Sequence, residues 1–511
     1  MKKFFTIVFS RVMYTALFVI VQVGAVLLVL RFFSEQFVYF YALCVLLSVC
    51  TGLHVLNRDI NPSYKIAWLI PIMLLPIFGG LMYVMFSKTR TSKKEKLRMS
   101  DIQHRYSQAM APHESAEEIL AAIDPSAAIH SRYIDTAAGA PPYRRTQTRY
   151  LSIGEEYFSA MKEELEKAER FIFLEYFIVE EGVMWDGILD ILKRKVKEGV
   201  EVRVMYDDLG CLFTLPQFYD RTLEKYGIKV CVFHRFNSIL NARFNARDHK
   251  KICVIDGNVG FTGGINLADE YINQYEKHGH WKDSGVLLKG DAVWSLTVMF
   301  LSVWDYLKKE NSDFSVFAPS PDYVDNIEGD GFVQPYTDMP VDNELVGETV
   351  YLNLINRAER YVYITTPYLI IDNEMMMALR TAAKSGVDVR IITPGVPDKK
   401  IVNKLTKSYY GPLISDGVRI YEYTPGFIHA KNFVADDEYG VVGTINLDYR
   451  SLYLHYECAV WMYKSKAVGG IKKDYLETLE KCREITPESM KKKTLLQNIG
   501  LAVLRAFAPM M

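Results

Sequence analysis

A short pattern of polar residues occurs twice in this chain of 511 residues, and the two copies are 180 positions apart. Each copy has a histidine, a lysine two residues later and an aspartate five residues after the lysine. The residues are His249, Lys251 and Asp256 in the first copy, and His429, Lys431 and Asp436 in the second. The stretches GFTGGIN (260–266) and GVVGTIN (440–446) continue the match at the same offset. A repeat of this kind predicts two similar structural units.

The residues around each copy alternate between strand-like and helical stretches. In the first half, strand-like residues 168–179 and 199–208 enclose a helical stretch, and residues 358–370 and 386–394 repeat this order in the second half. Strands that alternate with helices in this way are typical of an α/β fold. We predict two α/β/α halves that form one pseudo-symmetric catalytic unit. The predicted halves are residues 151–325 and 326–511.

The spacing within each copy indicates which side chains act together. Alternate residues of a strand point to the same face, so the histidine and the lysine of each copy share a face. Asp256 and Asp436 follow the lysines by an odd number of positions, and each lies at a turn signal, Asp256-Gly257 or Asp436-Asp437. We therefore expect these two members of the motif to support the turn rather than to take part in the reaction.

These groups suit a reaction at phosphorus. Imidazole can attack phosphorus or transfer a proton near neutral pH, and lysine supplies positive charge for a phosphoryl oxygen. Two facing pairs would place two histidines across one phosphate, one as nucleophile and one as acid. Amide, hydroxyl and backbone groups of the matching stretches can bind the same phosphate. The candidate phosphate-binding residues are Asn266, Asn446, Thr444, Gly263 and Gly443.

We expect the site to need neither a metal nor another cofactor. The lysines and asparagines can take the charge role that a divalent ion has elsewhere, and no histidine or acidic cluster has metal-ligand spacing along the chain. A reacting histidine does need a partner that orients its second ring nitrogen. Glu457 follows His429 by 28 residues and Asp283 follows His249 by 34, and each begins a strand-like stretch. We predict these acids as the orienting partners, with Glu457 assigned to the His429 stretch.

Residues 1–98 are predicted to form a membrane anchor with two to three transmembrane helices. Three apolar stretches are each long enough to cross a bilayer as a helix. They are residues 12–30, 37–56 and 66–86. A basic cluster at 88–98 places the following chain in the cytoplasm, and it either contacts anionic lipid headgroups or acts only as a topology signal. Lys2, Lys3 and Arg11 favour a cytoplasmic N-terminus too, and three spans cannot satisfy both signals; we predict three spans with the larger cluster inside.

The remaining segments carry weaker signals. Residues 99–150 contain scattered prolines and are predicted to be a connector with short helices. The stretch after Lys493 is predicted to be an apolar or amphipathic helix that either packs on the catalytic halves or lies on the bilayer surface. With 60 basic and 61 acidic residues the net charge is −1, so no basic surplus indicates nucleic acid as a partner. The sequence does not indicate an oligomeric state.

Two H-x-K-x-x-x-x-D motifs, each followed by G-[GT]-x-N, resemble those of the phospholipase D superfamily. Longer stretches and the apolar N-terminus are similar to the bacterial cardiolipin synthases of this superfamily. The stretches are YDDLGC (206–211), RDHKKICVIDG (247–257), GGINLADEY (263–271), TTPYLIIDNE (365–374) and GVRIYEYTPGFIHAKNFVADDEYGVVGTINLDYRSLYLHYECAVWMY (417–463). The resemblance runs from about residue 45 to the C-terminus.

This resemblance implies a reversible phosphatidyl transfer between two phosphatidylglycerol molecules in an anionic lipid membrane. The products are cardiolipin and glycerol, and the intermediate is a phosphatidyl-histidine. By analogy with the superfamily, His249 is the nucleophile and His429 the acid and base, and Asp256 and Asp436 have a structural role. The resemblance also implies a multi-pass protein of the bacterial cell membrane, whose catalytic halves we place in the cytoplasm.

Other functions remain compatible with the same motifs. A phospholipase D hydrolase or a transferase with another acceptor alcohol would use the same residues. A synthase that uses a CDP-activated lipid is disfavoured because the chain has no aspartate-rich metal-binding helix, and a nuclease is disfavoured by the membrane helices and the neutral charge. A catalytically silent membrane scaffold is disfavoured because both copies keep every polar member of the motif.

Overall fold

The computed structural model describes residues 37–75, 78–86, 105–110, 116–235, 246–340, 344–490 and 494–510, with a few separate positions between 20 and 31. The chain divides into two compact units. The small unit contains residues 1–91, 236–245 and 494–511, and the large unit contains residues 92–235 and 246–493. The predicted stretch 12–30 lies almost entirely outside the described residues.

From residue 37 to residue 86 the described part of the small unit forms three apolar helices. They are α1 (Phe37–Leu56), α2 (Pro62–Leu74) and α3 (Phe78–Phe86). Asn61 caps α2 by accepting a hydrogen bond from the Ser63 N–H, and Pro62 occupies the first helical position, where no N–H is needed. Within the described part of the chain, α1 alone is long and apolar enough to cross a membrane, over Val38–Leu56.

The third predicted span, residues 66–86, is not one helix. α2 ends at Leu74, and Leu75 has a non-helical backbone with φ −125° and ψ 72°. This agrees with the sequence, because the residue before a proline, here Pro76, is disfavoured in the helical conformation. Helices of 13 and 9 residues are about 20 Å and about 14 Å long, well short of a hydrocarbon core of roughly 30 Å. The prediction of a continuous span at 66–86 is therefore wrong.

These three helices pack closely. Val55, Ile72 and Tyr83 form a small buried cluster between them. Where α3 returns beside α2, a Cβ atom on Gly79 would lie 2.2 Å from the carbonyl oxygen of Pro71. Only glycine permits this approach, so the two short helices form a tight hairpin.

The large unit contains twelve of the described α-helices and all of the described strands. The helices are α4 (Ala116–Ile123), α5 (Pro125–Ala138), α6 (Gly154–Glu166), α7 (Val183–Lys197), α8 (Tyr219–Glu224), α9 (Val293–Lys308), α10 (Pro321–Asp325), α11 (Val346–Arg357), α12 (Asn373–Lys384), α13 (Lys400–Ile414), α14 (Tyr449–Tyr453) and α15 (Lys466–Leu479). The strands of the first half are β1 (Thr146–Leu151), β2 (Phe171–Tyr176), β3 (Glu201–Asp207), β4 (Lys229–Phe233), β5 (Ile252–Ile255), β6 (Val259–Gly263), β7 (His280–Lys282) and β8 (Gly285–Gly290). Those of the second half are β9 (Phe332–Asp338), β10 (Tyr361–Thr365), β11 (Leu369–Ile370), β12 (Asp388–Pro394), β13 (Arg419–Tyr423), β14 (Gly426–Ile428), β15 (Asn432–Ala435), β16 (Tyr439–Gly443), β17 (Leu447–Asp448), β18 (Glu457–Tyr463) and β19 (Cys482–Ile485).

The two main sheets have the same topology, which confirms the predicted pair of similar α/β halves. The first sheet has the order β1-β8-β6-β5-β2-β3-β4, and the second has the order β9-β18-β16-β15-β10-β12-β13 with β19 added at its edge. In both sheets a central strand, β2 or β10, runs parallel to one neighbour and antiparallel to the strand that follows the histidine. β1 begins at Thr146, so the first sheet starts inside the stretch that was assigned to the connector.

The central strands explain where the core lies. Every residue of β2 (FIFLEY) and of β10 (YVYIT) is buried, as expected for strands that are covered by helices on both faces. In the first half, Trp185 of α7 and Tyr157 of α6 are among the fully buried side chains that pack on this sheet. The sheets thereby form rigid supports for the loops and strand ends that carry the motifs.

Asp256 and Asp436 hold equivalent turns onto the central strands. The carboxylate of Asp256 accepts hydrogen bonds of 2.7–2.8 Å from the backbone N–H groups of residues 169–171. The carboxylate of Asp436 accepts three bonds of 2.7–2.9 Å from those of residues 359–361. Both aspartates have positive φ angles, 54° and 55°, a conformation that Asp tolerates better than most residues. The motif aspartates therefore join the end of the catalytic strand to the start of β2 or β10.

The last helix, α16 (Leu495–Ala506), belongs to the small unit and begins with a capping box between Thr494 and Gln497. Both α16 and the turn Ala508–Met510 pack against α2. One side of α16 exposes large apolar residues to the surroundings. They are Leu495, Leu496, Ile499 and Val503. α16 thus packs within the small unit, and its location on the bilayer surface stays a prediction.

We expect Asp436→Ala to destabilise the large unit by roughly 3 kcal/mol, because three N–H groups, one of them buried, lose a charged acceptor. Asp437→Ala is the matched control, since Asp437 also has a positive φ, 64°, but its carboxylate is 43 % exposed and forms surface ion pairs. Such pairs contribute about 1 kcal/mol or less. Urea unfolding of the detergent-solubilised variants measures the difference, and equal midpoints for the two would contradict the structural role.

Candidate active site

Each motif histidine lies on a segment of its own half that pairs with the other half. His249 precedes β5, and its N–H donates to the carbonyl of Tyr456 over 2.9 Å, next to a parallel bridge between Asp248 and Tyr456. His429 follows β14, which pairs in parallel with β7, and its N–H donates to the carbonyl of Lys282 over 2.7 Å. Strand pairing across the pseudo-symmetric interface thus positions both histidines.

Because of this pairing, each histidine contacts the acid of the other half. Nδ1 of His249 lies 2.9 Å from both carboxylate oxygens of Glu457. Nδ1 of His429 lies 2.7 Å from Oδ2 of Asp283. The two predicted acids are therefore at the site, but the assignment of Glu457 to the His429 stretch is wrong. The reason is that β18, which begins with Glu457, reaches across to the segment that carries His249.

Burial controls the charge of these pairs. Both acids are fully buried. Burial raises the pKa of the Glu457 carboxyl, but the facing imidazole of His249 outweighs it and holds the pKa well below its usual range. Burial likewise opposes ionisation of Asp283, and the hydrogen bond from His429 and the charge of Lys431 lower its pKa. Burial lowers the pKa of His249 to about 3 and, together with Lys431, that of His429 to about 4. Each pair is thus a neutral imidazole that donates from Nδ1 to a carboxylate, which leaves Nε2 as the basic atom.

The two lysines are buried as completely as the acids. Burial lowers the pKa of Lys251 to about 8, against the opposing effect of Glu457. Burial lowers the pKa of Lys431 to about 7, and the nearby charge of Lys251 lowers it further. Because two ammonium groups in one buried pocket repel each other, an anion between them is strongly favoured.

The lysines contact their histidines differently. Nζ of Lys251 donates to the backbone carbonyl of His249 over 2.6 Å. Nζ of Lys431 also contacts the carbonyl of His429, and it lies 2.9 Å and 3.0 Å from the two ring nitrogens of that residue. The two half-sites are therefore similar in composition but not in contacts.

The candidate phosphate-binding residues have several different environments. The amide of Asn266 accepts from the Ile178 N–H and donates one of its two N–H groups to the Tyr271 hydroxyl. Oδ1 of Asn446 is buried and has no hydrogen-bond partner among the described residues. An unpaired amide oxygen accepts a hydrogen bond from a ligand, whereas a phosphoryl oxygen needs the Nδ2 amino group of Asn446 as donor.

Thr444 and the two glycines have structural contacts instead. The Thr444 hydroxyl donates to Glu457, so it holds the acid rather than the phosphate. A Cβ on Gly263 would lie 2.4 Å from the Ser284 carbonyl, and one on Gly443 would lie 2.4 Å from the Cβ of Ala459. The Thr444 hydroxyl proton is used on Glu457, and Gly263 and Gly443 pack neighbouring strands of their own halves, so phosphate binding by the two glycine backbones stays a prediction.

Sequence reasoning missed the rings that surround the histidines. The rings of Trp281, Tyr271 and Phe427 lie 5.6–5.8 Å from that of His429. The His249 ring has Phe177 at 5.2 Å and His455 at 5.4 Å. Trp281 and His455 each precede an orienting acid by two residues. Residues two positions apart in an extended segment share a face, so this spacing was the available sequence signal for the rings.

The fold also assembles a possible metal-binding group that chain spacing did not reveal. One ligand atom each from His249, His455 and Glu457 lie within 4.8 Å of one another. The expectation that no histidine or acidic cluster is present was based on distances along the chain, and the crossed strand pairing brings these residues together from positions about 200 residues apart.

The described geometry can bind and cleave a phosphodiester. Two neutral imidazoles, each with Nδ1 on a carboxylate, supply a nucleophile and a proton carrier. Two buried lysines and the Asn446 amide supply the groups that stabilise charge on phosphoryl oxygens. All of these groups come from one interface between two homologous halves.

Comparison with known proteins agrees with this geometry. Residues 161–284 and 351–479 match the family model described as "Cardiolipin synthase, PLD-like domain", and each stretch holds one copy of the motif. Residues 37–88 match the model described as "Phospholipase_D-nuclease N-terminal".

Relatives extend the match to nearly the whole chain. An uncharacterised protein of Streptococcus mutans is 46 % identical, and the match covers 90 % of this chain and 99 % of that one. Cardiolipin synthase 2 of Bacillus cereus is 34 % identical, with coverage of 88 % and 87 %. Cardiolipin synthase of Geobacillus kaustophilus is 33 % identical, with coverage of 92 % of both chains.

Among solved structures, phosphatidylserine synthase of Haemophilus influenzae has the same fold. The TM-score is 0.56 at 16 % identity, and the match covers 75 % of this chain and all of that one. The chain therefore belongs to the cardiolipin synthase family with phospholipase-D-like domains, and it is a membrane-associated phosphatidyltransferase that acts on phospholipids.

Proposed function

We propose that this phosphatidyltransferase makes cardiolipin and glycerol from two molecules of phosphatidylglycerol. The observation that carries the proposal is the crossed arrangement of two neutral histidines, each on a buried carboxylate, around two buried lysines. A phosphodiester needs one nucleophile and one acid for the leaving alcohol, and the paired half-sites supply both. Membership of the cardiolipin synthase family supports phosphatidylglycerol as donor and acceptor.

In the first step, Nε2 of His249 attacks the phosphorus of one phosphatidylglycerol. The bond between phosphorus and the headgroup oxygen breaks, and His429 gives its proton to the departing glycerol. His429 needs a proton for this role, and the negative phosphodiester that enters between the lysines favours the protonated form. Glu457 stabilises the positive charge that develops on the His249 ring.

In the second step, a terminal hydroxyl of the second phosphatidylglycerol attacks the phosphatidyl-histidine. His429 takes the hydroxyl proton, the phosphorus–nitrogen bond breaks, and His249 returns to its neutral state. Lys251, Lys431 and Asn446 hold the phosphoryl oxygens in both steps. Exclusion of water by the aromatic rings around His429 favours transfer over hydrolysis.

The unequal lysine contacts support the assignment of the two histidines. Nζ of Lys431 lies against both ring nitrogens of His429, a contact suited to a group that exchanges a proton. Lys251 contacts His249 through its backbone carbonyl, so the Nε2 lone pair of His249 is the freer one for attack on phosphorus. The carboxylate of Glu457, held by Thr444, fixes that ring in the reactive orientation.

The split of the third apolar run suggests a topology that satisfies both basic signals. We infer that residues 12–30 and α1 cross the membrane, while the short helices α2 and α3 do not. With two crossings, the N-terminal Lys2 and Lys3 and the basic cluster at 88–98 all lie in the cytoplasm. The catalytic halves then face the cytoplasmic leaflet.

We expect His249→Ala and His429→Ala each to lower cardiolipin formation by about 10³-fold or more, since each step needs both groups. The assay uses purified full-length protein and vesicles that contain phosphatidylglycerol, with lipid products separated by chromatography. His278→Asn is the control, because it removes an imidazole without touching either motif. If phosphatidic acid were the sole product, the enzyme would be a hydrolase and not a transferase. If the product contained another alcohol, the proposed acceptor would be wrong.

The crossed pairing predicts separate effects of the two acids. Glu457→Gln should slow formation of the phosphatidyl-enzyme by roughly 10²–10⁴-fold, because the neutral amide no longer orients and stabilises the His249 ring. Asp283→Asn should slow both this formation and the transfer to the acceptor, because His429 acts as acid in the first step and as base in the second. Rapid-quench measurement of labelled lipid on the protein separates the steps, and Glu438→Gln, which alters an exposed ion pair with Lys464, is the control. If only Asp283→Asn slowed labelling, the histidine roles would be reversed.

The proposed topology predicts that reporter domains fused before residue 2 and after residue 98 both report the cytoplasm. A reporter inserted in the segment between residue 30 and α1 should report the outside. Cytoplasmic signal from the first fusion together with external signal after residue 98 would require an odd number of spans and contradict the proposal.

A further inference from the structure

The first half-site contains an imidazole that the proposed reaction does not use. His455 lies two residues before Glu457, so both side chains face His249. Its ring centroid is 5.4 Å from that of His249, and its Nδ1 is 3.6 Å from Oε1 of Glu457. That separation is too long for a hydrogen bond.

Both ring nitrogens of His455 are buried, and neither has a hydrogen-bond partner among the residues that the structure describes. The side chain as a whole is 11 % exposed. Buried polar nitrogens are rarely left without a partner, and leaving one unpaired costs about 1–3 kcal/mol. The unpaired nitrogens therefore point to a ligand at this position.

The equivalent position in the other half-site is different. The residue two places before Asp283 is Trp281, whose ring lies 5.6 Å from that of His429. The transfer reaction uses both half-sites, and one of them works with an indole where the other has an imidazole. The transfer reaction therefore does not explain the second imidazole, which is present only in the half-site of His249.

His249, His455 and Glu457 together match the preferences of one kind of metal ion. One ligand atom from each lies within 4.8 Å of the others. Two imidazole nitrogens and one carboxylate oxygen form a common donor set for Zn²⁺, with bonds of about 2.0–2.2 Å and donors therefore roughly 3.3–3.6 Å apart. The observed separations of 2.9 Å and 3.6 Å from Glu457 to the two rings need only small side-chain shifts to reach this geometry.

We propose that His249, His455 and Glu457 bind a borderline-soft divalent cation such as Zn²⁺, and that this binding stops phosphatidyl transfer. The inhibitory part rests on the proposed function, in which His249 is the nucleophile. The cation replaces the Nδ1 proton that His249 shares with Glu457, and that proton is released to solvent. A doubly charged ion on Nδ1 withdraws electron density from Nε2 and removes Glu457 from its role as the ring's hydrogen-bond acceptor.

Metal binding is measured first on the full-length protein in neutral detergent without lipid. Calorimetry with Zn²⁺ and visible absorption with Co²⁺ are expected to show one tight site in the wild type. His455→Asn should weaken binding by at least about 10-fold, the lower range seen when a metal site loses a supporting group. His278→Asn, which removes a different histidine, should bind like the wild type. Mg²⁺ and Ca²⁺ prefer oxygen ligands and should not compete.

Inhibition is then measured as cardiolipin formation against Zn²⁺ concentration, with each variant compared with its own rate without metal. The concentration for half-inhibition should rise for His455→Asn by the same factor as the dissociation constant, and should stay at the wild-type value for His278→Asn. Absence of binding in the wild type, or equal affinity in wild type and His455→Asn, overturns the site. Equal inhibition of both despite different affinities overturns the inhibitory role. The binding data stand alone even if the product is not cardiolipin, so failure of the proposed function is distinguishable.

Discussion

The crossed hydrogen bonds between each histidine and the acid of the other half are the contacts on which this active site depends. Neither half holds a complete site, because His249 needs Glu457 and His429 needs Asp283. The same segments are joined by backbone pairing, with the His249 N–H on Tyr456 and β14 on β7. Docking of the two halves and assembly of the catalytic groups are therefore one event, and a change that loosens the interface removes both orienting acids at once.

Burial at this interface sets the chemistry as much as the choice of residues does. In water an imidazole and a lysine would both be protonated over much of the acidic range, but here burial lowers the pKa of both histidines and both lysines. The acids remain ionised because the imidazoles face them. The two buried lysines of this pocket repel each other when both are protonated, so an anion such as a phosphodiester is strongly favoured there. Binding of substrate thereby restores the protonation states that the reaction requires.

Much of this arrangement could be predicted from the repeat alone. The constant offset of 180 predicted two similar halves, and alternation along a strand placed the aspartates of the motif at the turns, where Asp256 and Asp436 accept their backbone N–H bonds. Alternation predicts which face of a strand a side chain occupies, but not which other strand lies beside that face. It therefore could not pair Glu457 with His249, and it could not show that the Thr444 hydroxyl donates to Glu457. Hydropathy reports how apolar a stretch is but not whether its helix is continuous. It predicted one span over residues 66–86, although Pro76 favours a break after Leu74.

The small differences between the copies explain how a duplicated scaffold can give two unlike histidines. Gly264 in the first copy, where a Cβ would lie 2.1 Å from an oxygen of Asp283, corresponds to Thr444 in the second, whose hydroxyl donates to Glu457. Asp283 accepts from the Ser284 N–H and faces the His429 ring, whereas Glu457 accepts from the Thr444 hydroxyl and faces the His249 ring. The two orienting acids are therefore held by different donors, although they occupy equivalent places in the two halves.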